Sequence, residues 1–177
     1  MVKDYRLGWL PYGAAMMLLL SLSTGVRAAD YPEVMRLMSP DFEDQGQIPR
    51  ALTCQGEDIS PALEIQGIPE GTRSLVLTVD DPDAPVGNWV HWVVYDIVPK
   101  DRILRGEIPG IQGMNDFRKT DYGGPCPPSG THHYIFTVYA LDEVLALKPG
   151  LEKSDVLKAM DGHIVTTARL VGVYARE

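Results

Sequence analysis

Residues 74–97 read SLVLTVDDPDAPVGNWVHWVVYDI. Ser74–Asp80 and Trp89–Ile97 are rich in Val, Leu, Thr and Trp, as half-buried strands are. Between them, Asp81–Asn88 collects Pro82, Pro85, Gly87 and Asn88, residues that turn a chain. The stretch therefore reads as strand, Pro-rich turn, strand.

The same pattern extends outward. Further strands are expected at Val34–Met38, Ala62–Gln66, His133–Leu141 and Ile164–Ala175, with a second Pro-rich connector at Asp121–Thr131. One helix is expected, with Ser154 as N-cap, Asp155 in its first turn, Val156, Leu157 and Met160 facing inward, and Gly162 as its stop. A shorter helical turn is expected at Glu143–Leu147, before Pro149. No repeat or interdomain linker interrupts the pattern. The expected fold class is mainly β: one domain, a sandwich of sheets with one or two peripheral α-helices.

The chain has 177 residues, a formal net charge of −8 and 45% hydrophobic content. That content argues against disorder. Residues 1–28 run from a short basic start through an uncharged stretch, Leu7–Val26, to Val26-Arg27-Ala28. This is the order of a secretory signal peptide cleaved after Ala28, the other reading being an uncleaved anchor. No Cys follows the cleavage point, so a lipid anchor is not expected. The expected mature domain is 29–177, exported, in a bacterium to the periplasm. Losing Lys3, Arg6 and Arg27 against Asp4 leaves it at net −10. Such acidity argues against nucleic acid as a partner, since counterion release needs clustered Lys and Arg. Cys54 and Cys126 are the two cysteines. In an oxidising compartment they read as one disulfide, or else as two separate buried thiols.

Strand parity places candidate polar side chains. His91 is expected to share a face with Trp89 and Val93, opposite Val90, Trp92 and Val94. His132 and Tyr134 share a face and His133 points away. Asp81 ends its strand. One carboxylate and two imidazoles thus stand at strand ends beside Pro-rich loops, where a shallow polar site is built. Asp83, His133 and His163 read as structural, and Trp92, Phe136 and Tyr139 as packing.

Asp81-Pro82-Asp83-Ala84-Pro85 with Gly87-Asn88-Trp89-Val90-His91-Trp92, Asn115-Asp116-Phe117, and Tyr122-Gly123-Gly124-Pro125-Cys126-Pro127-Pro128-Ser129-Gly130-Thr131-His132-His133-Tyr134 resemble a known family's signature regions. That family is the phosphatidylethanolamine-binding proteins, also called Raf kinase inhibitor proteins, in its bacterial branch of YbhB/YbcL type. Thr53–Gly56 with Ser60–Leu63, and Met160–His163 with Ala168–Gly172, resemble its early and late segments, so the likeness covers about Met35 to Arg176. The resemblance implies a β-sandwich of antiparallel sheets and a small anion pocket. Its residues here would be Asp81, Trp89, His91, Gly124, Cys126, Pro128, His132 and Tyr134. The family commonly has Arg where this chain has His133, and often an aromatic at Ile65. The helix that closes over the pocket in animal members has no counterpart after Ala175, so a more open pocket is expected.

The residues then suggest a small anionic ligand, phosphate- or carboxylate-bearing, held by two imidazoles, the Tyr134 hydroxyl and backbone N–H groups of the second Pro-rich loop. Asp81 would orient an imidazole, and binding would strengthen as pH falls through the His range. A cis bond at Ala84–Pro85 is a further expectation. No cofactor or metal is expected, because the His and Asp spacings match no metal motif. The resemblance adds a protein partner of kinase or protease type, with a homodimer left open. Two other readings compete. One is a hydrolase using Asp81, His91 and His132, for which Ser129 has no nucleophile-elbow context. The other is an interaction protein acting through its surface alone.

Overall fold

The computed structural model describes Met1 and residues 34–176. The expected signal peptide and its cleavage point lie outside the described residues. All the elements belong to the unit Pro32–Glu177. They are β1 (Arg36–Met38), β2 (Gly46–Gln47), a 3-10 turn (Arg50–Leu52), β3 (Leu63–Gln66), β4 (Ser74–Asp81), β5 (Trp89–Ile97), β6 (Arg102–Ile103), β7 (Ile111–Gln112), β8 (Thr131–Leu141), α1 (Lys153–Ala159) and β9 (Ile164–Ala175).

Two sheets form. One has the order β1-β3-β6, the other β2-β9-β8-β4-β5-β7. The sheets are antiparallel as expected, apart from the two-residue β2, which runs parallel to β9 with Gly46 opposite Gly172. Leu37, Leu63, Ile65 and Ile103 of the small sheet pack with Leu75, Leu77, Val79, Phe136 and Val138 of the large one. The outer face of the large sheet carries Val76, Val93, Tyr95 and Leu141, covered by Val156 and Met160. With both faces covered, every residue of β4 is buried, and each large aliphatic side chain contributes roughly 1.5–3 kcal/mol. Ile65, where the family often has an aromatic, is simply part of this core.

Two helical expectations change. α1 starts at Lys153, with Glu152 rather than Ser154 at its N-cap position and no side-chain cap. A bridge between Met114 and Glu152 pins the chain there, and Lys153 Nζ meets Asp80 Oδ2 at 2.6 Å, so the first turn begins earlier. Val156 and Met160, one turn apart, face the sheet, whereas Leu157, about 100° round the helix, is exposed. Glu143–Leu147 forms no helix. The Asp96 carboxylate accepts the N–H groups of Leu145 and Leu147 at 2.8 and 3.3 Å, and Ala146 takes φ +52°. Those bonds tie the segment to β5 instead.

The parity expected in β5 is also broken. Val79 pairs with Trp92, but Asp80 pairs with Val90, so His91 is the extra residue of a bulge. Val90 consequently packs with Val93 and Tyr95 on the outer face, while Trp92 and Val94 enter the inter-sheet core. Among the described residues no peptide bond is cis, so Ala84–Pro85 is trans.

Candidate functional site

The register brings three strand ends together. Asp81 lies opposite Trp89, Asp80 lies opposite Ile135, and β8 therefore begins beside the end of β4. His132 and Tyr134 face inward and are buried, and His133 is exposed, as alternation from Thr131 requires. His132 Nδ1 and Asp81 Oδ2 are 2.7 Å apart in a pair with side chains 8% and 5% exposed. The other Asp81 oxygen accepts the Asp83 N–H at 2.9 Å. Asp81 thus orients His132, not His91.

The bulge aims His91 at a different partner. Its Nδ1 lies 2.6 Å from the Gly123 carbonyl oxygen. Its ring meets Tyr134 and Phe117 edge-on, with centroids 5.2 Å away in each case. Desolvation pushes the imidazole pKa down, opposed by the Gly123 hydrogen bond and by the charges of Asp81, Asp80 and Asp58. Burial pushes the Tyr134 phenol up, so it stays protonated. The Tyr134 hydroxyl is fully buried and makes no hydrogen bond of good geometry, although the Asp81 carboxylate and the Cys126 backbone lie close enough to act on it.

Two loops complete the walls. Asn115 shapes the first: its Nδ2 donates to the Asp121 carbonyl at 2.9 Å and its Oδ1 accepts the Lys119 N–H at 3.0 Å. That turn lays Phe117 against Trp89, centroids 5.4 Å apart. The second loop is fastened from below. Cys126 is joined to Cys54 in a disulfide with a Cα separation of 5.5 Å. The Cys54 N–H donates to the Pro125 carbonyl at 3.2 Å, and Tyr122 Oη donates to the Leu52 carbonyl at 3.1 Å.

A cleft of about 240 Å³ results, lined by Asp81, Ala84, Pro85, Val86, Trp89, His91, Phe117, Cys126 and Pro128. Five of the expected residues line it: Asp81, Trp89, His91, Cys126 and Pro128. His132, paired with Asp81, and Tyr134, whose ring meets His91, are not among the lining residues. Gly124 is not a wall residue. Its N–H donates to Asp58 Oδ1 at 2.7 Å, and a Cβ there would come within 2.4 Å of that oxygen and 2.6 Å of the Leu52 carbonyl. Gly124 is a packing point, so its N–H is spent and cannot reach an anion. Gly123 N–H is likewise donated to the His91 carbonyl, and Pro125, Pro127 and Pro128 have none to give. Gly123, Gly124, Pro125, Pro127 and Pro128 therefore offer an anion no backbone donor.

Sequence reasoning missed Phe117, Ala84, Pro85 and Val86 as walls, and Asp58 as a support. Phe117 sits in the Asn115-Asp116-Phe117 string, which was a usable signal; Asp58 had none. Among the described residues, no three His, Cys, Asp or Glu side chains converge as a metal-binding group, and no helix is long and apolar enough to cross a membrane.

Comparison with known proteins agrees with the geometry. A family model described as phosphatidylethanolamine-binding protein matches residues 38–175. A UPF0098 protein of Methanothermobacter thermautotrophicus is 47% identical over 150 residues, covering 80% of this chain and 99% of the relative. The chain is similar to the crystal structure of a Chlamydia trachomatis protein described as a phosphatidylethanolamine-binding protein homologue. The TM-score is 0.79 with 42% identity, over 81% of this chain and 99% of that one. Escherichia coli YbcL, described as a new member of the mammalian family of that name, gives a TM-score of 0.74 with 30% identity, over 81% of this chain and 99% of the other.

Proposed function

The chain belongs to the phosphatidylethanolamine-binding protein family, and from that premise we propose that it is an exported, non-enzymatic binding protein. Its cleft takes a small anionic group, phosphate- or carboxylate-bearing, and the filled cleft modulates a partner protein in the same compartment. The observation that carries the reading is the buried His91 imidazole, which lines a small cleft with Trp89 and Pro128 and has its Nδ1 held by the Gly123 carbonyl. Trp89, Phe117 and the prolines make rigid walls that lower the ordering cost on binding.

Hydrolysis is the weaker reading for a specific reason. Among the described residues, neither imidazole forms a hydrogen bond to a Ser, Thr or Cys side chain, and both cysteines are in the disulfide. Asp81 and His132 are spent on each other.

Calorimetry with inorganic phosphate and with phosphoethanolamine tests the binding. Heat of binding is expected with the wild type and a loss of at least tenfold in affinity with His91→Ala. No heat from either probe at pH 6 removes the reading. Export is tested separately: amino-terminal sequencing of the periplasmic protein is expected to begin at Ala29, and an intact Met1 overturns it. For the partner, capture from periplasm with wild type and His132→Ala separates a cleft-dependent contact from a surface-only one.

A further inference from the structure

We propose that the cleft takes its ligand together with one proton, and that it therefore selects phosphate monoesters over phosphate diesters. The inference rests on the anion-binding reading and gives that site a substrate class.

The argument starts from the two imidazoles. A carbonyl oxygen only accepts, so the 2.6 Å contact between His91 Nδ1 and the Gly123 oxygen places a hydrogen on Nδ1. The Asp81 carboxylate likewise places a hydrogen on His132 Nδ1. In each neutral ring the remaining nitrogen, Nε2, is then a lone pair. Neither Nε2 hydrogen-bonds to a protein group among the described residues, and His91 is the ring that lines the cleft. At neutral pH the His91 ring offers an anion an acceptor, not a donor.

The surroundings sharpen this. His91 is faced by Asp81 and Asp80 of β4, by Asp58 of the loop beneath Gly124, by the Tyr134 phenol of β8 and by the Phe117 ring. No Lys or Arg among the described residues lines the cleft; the Arg176 guanidinium stands outside, 3.9 Å from Cys126 Sγ. A phosphate dianion would meet the Asp81 carboxylate and the His91 lone pair with no lining cation to balance them. Desolvation also holds the imidazole below its ordinary value, so charging it beforehand is costly.

A monoanion with one P–O–H fits. Its hydroxyl donates to His91 Nε2. The shared proton counts the same on oxygen or on nitrogen: the complex holds one proton more than neutral cleft plus dianion. A phosphate monoester has its second pKa near ~6 and takes that proton up cheaply around neutrality. A diester monoanion has no such proton and must charge the buried ring instead.

The test compares O-phosphoethanolamine with glycerophosphoethanolamine, which carry the same amine on a monoester and on a diester. The second stands for a lipid headgroup and the first for a free phosphate compound. Calorimetry near pH 7.5 is expected to show the monoester bound at least about tenfold tighter. Its binding enthalpy should differ between Tris and HEPES by the amount that uptake of one proton requires. Its affinity should fall about tenfold per pH unit above neutrality. His91→Gln, whose amide can present a permanent N–H where Nε2 stood, should lose both the proton uptake and the monoester preference. Equal affinity for both probes without proton uptake overturns this inference and leaves the anion site standing. Tighter binding of the diester overturns it in favour of a lipid headgroup. No binding of either probe, here and at pH 6, overturns both.

Discussion

His132 and His133 are neighbours on β8, and each meets an aspartate of the same Pro-rich turn through Nδ1. The distances are 2.7 Å to Asp81 and 2.6 Å to Asp83. The surroundings are opposite: side chains are 8% and 5% exposed in the first pair, 49% and 41% in the second. Asp83 also accepts the His133 backbone N–H at 2.8 Å, and these hydrogen bonds hold its carboxyl below the usual range. The turn thus grips β8 from both faces. One grip is sheltered and shapes the cleft; the other is solvated and only fastens the loop. Contact distance does not distinguish them. What differs is how much water could replace a lost partner.

Four outcomes would break or sharpen that contrast. The largest concerns the loop whose Cys126 and Pro128 stand across the cleft with Asp81. Replacing Cys54 and Cys126 by Ser removes a cross-link spanning 72 residues, expected to cost about 4 kcal/mol in urea unfolding; a cost below ~1 kcal/mol would show that the wall holds itself. Asp81→Ala comes next. It strands the His132 N–H in a buried place and should cost about 3 kcal/mol, with phosphate binding lost in calorimetry. Third is pH. Burial lowers the His91 pKa, so the unfolded chain takes up this proton before the folded one does. The contribution of neutral His91 to stability is complete above about pH 6.5 and is lost as pH falls from there through the lower folded value. Melting temperatures measured from pH 8 down to 5 should decline accordingly, and His91→Gln should flatten the decline. The smallest effect belongs to Asp83→Ala: under ~1 kcal/mol, shrinking further in high salt. If it matched Asp81→Ala, burial would not be the deciding variable.

Much of the frame was legible in the sequence. Trp89–Ile97 and Ile164–Ala175 are the observed β5 and β9 to the residue, because β-branched and aromatic side chains fit a half-buried pleated surface wherever the strand is long enough to show a period. β2, β6 and β7 have two residues each, too few to carry any period. Glu143–Leu147 looked helical by local propensity and lost to the Asp96 carboxylate, about 50 residues away in the chain. His132 and Tyr134 faced inward as alternation required. His91 did not follow alternation, because a bulge depends on how β5 meets β4 and leaves no mark in β5 alone.

The likeness of the Pro-rich strings to the family's signature regions put Asp81, Trp89, His91, Cys126 and Pro128 around one cleft, and the cysteine count left a Cys54–Cys126 disulfide as one of two readings. The turns that carry these residues are legible locally, because Pro, Gly and Asp make them easily. The tertiary structure alone decided who partners whom. It gave Asp81 to His132 and Gly123 to His91, spent the Gly124 N–H on Asp58, and laid Phe117 against His91. Those choices set which nitrogens carry protons. A hydrogen bond depends on distance and angle between groups remote in sequence, and those exist only once the sheet has closed.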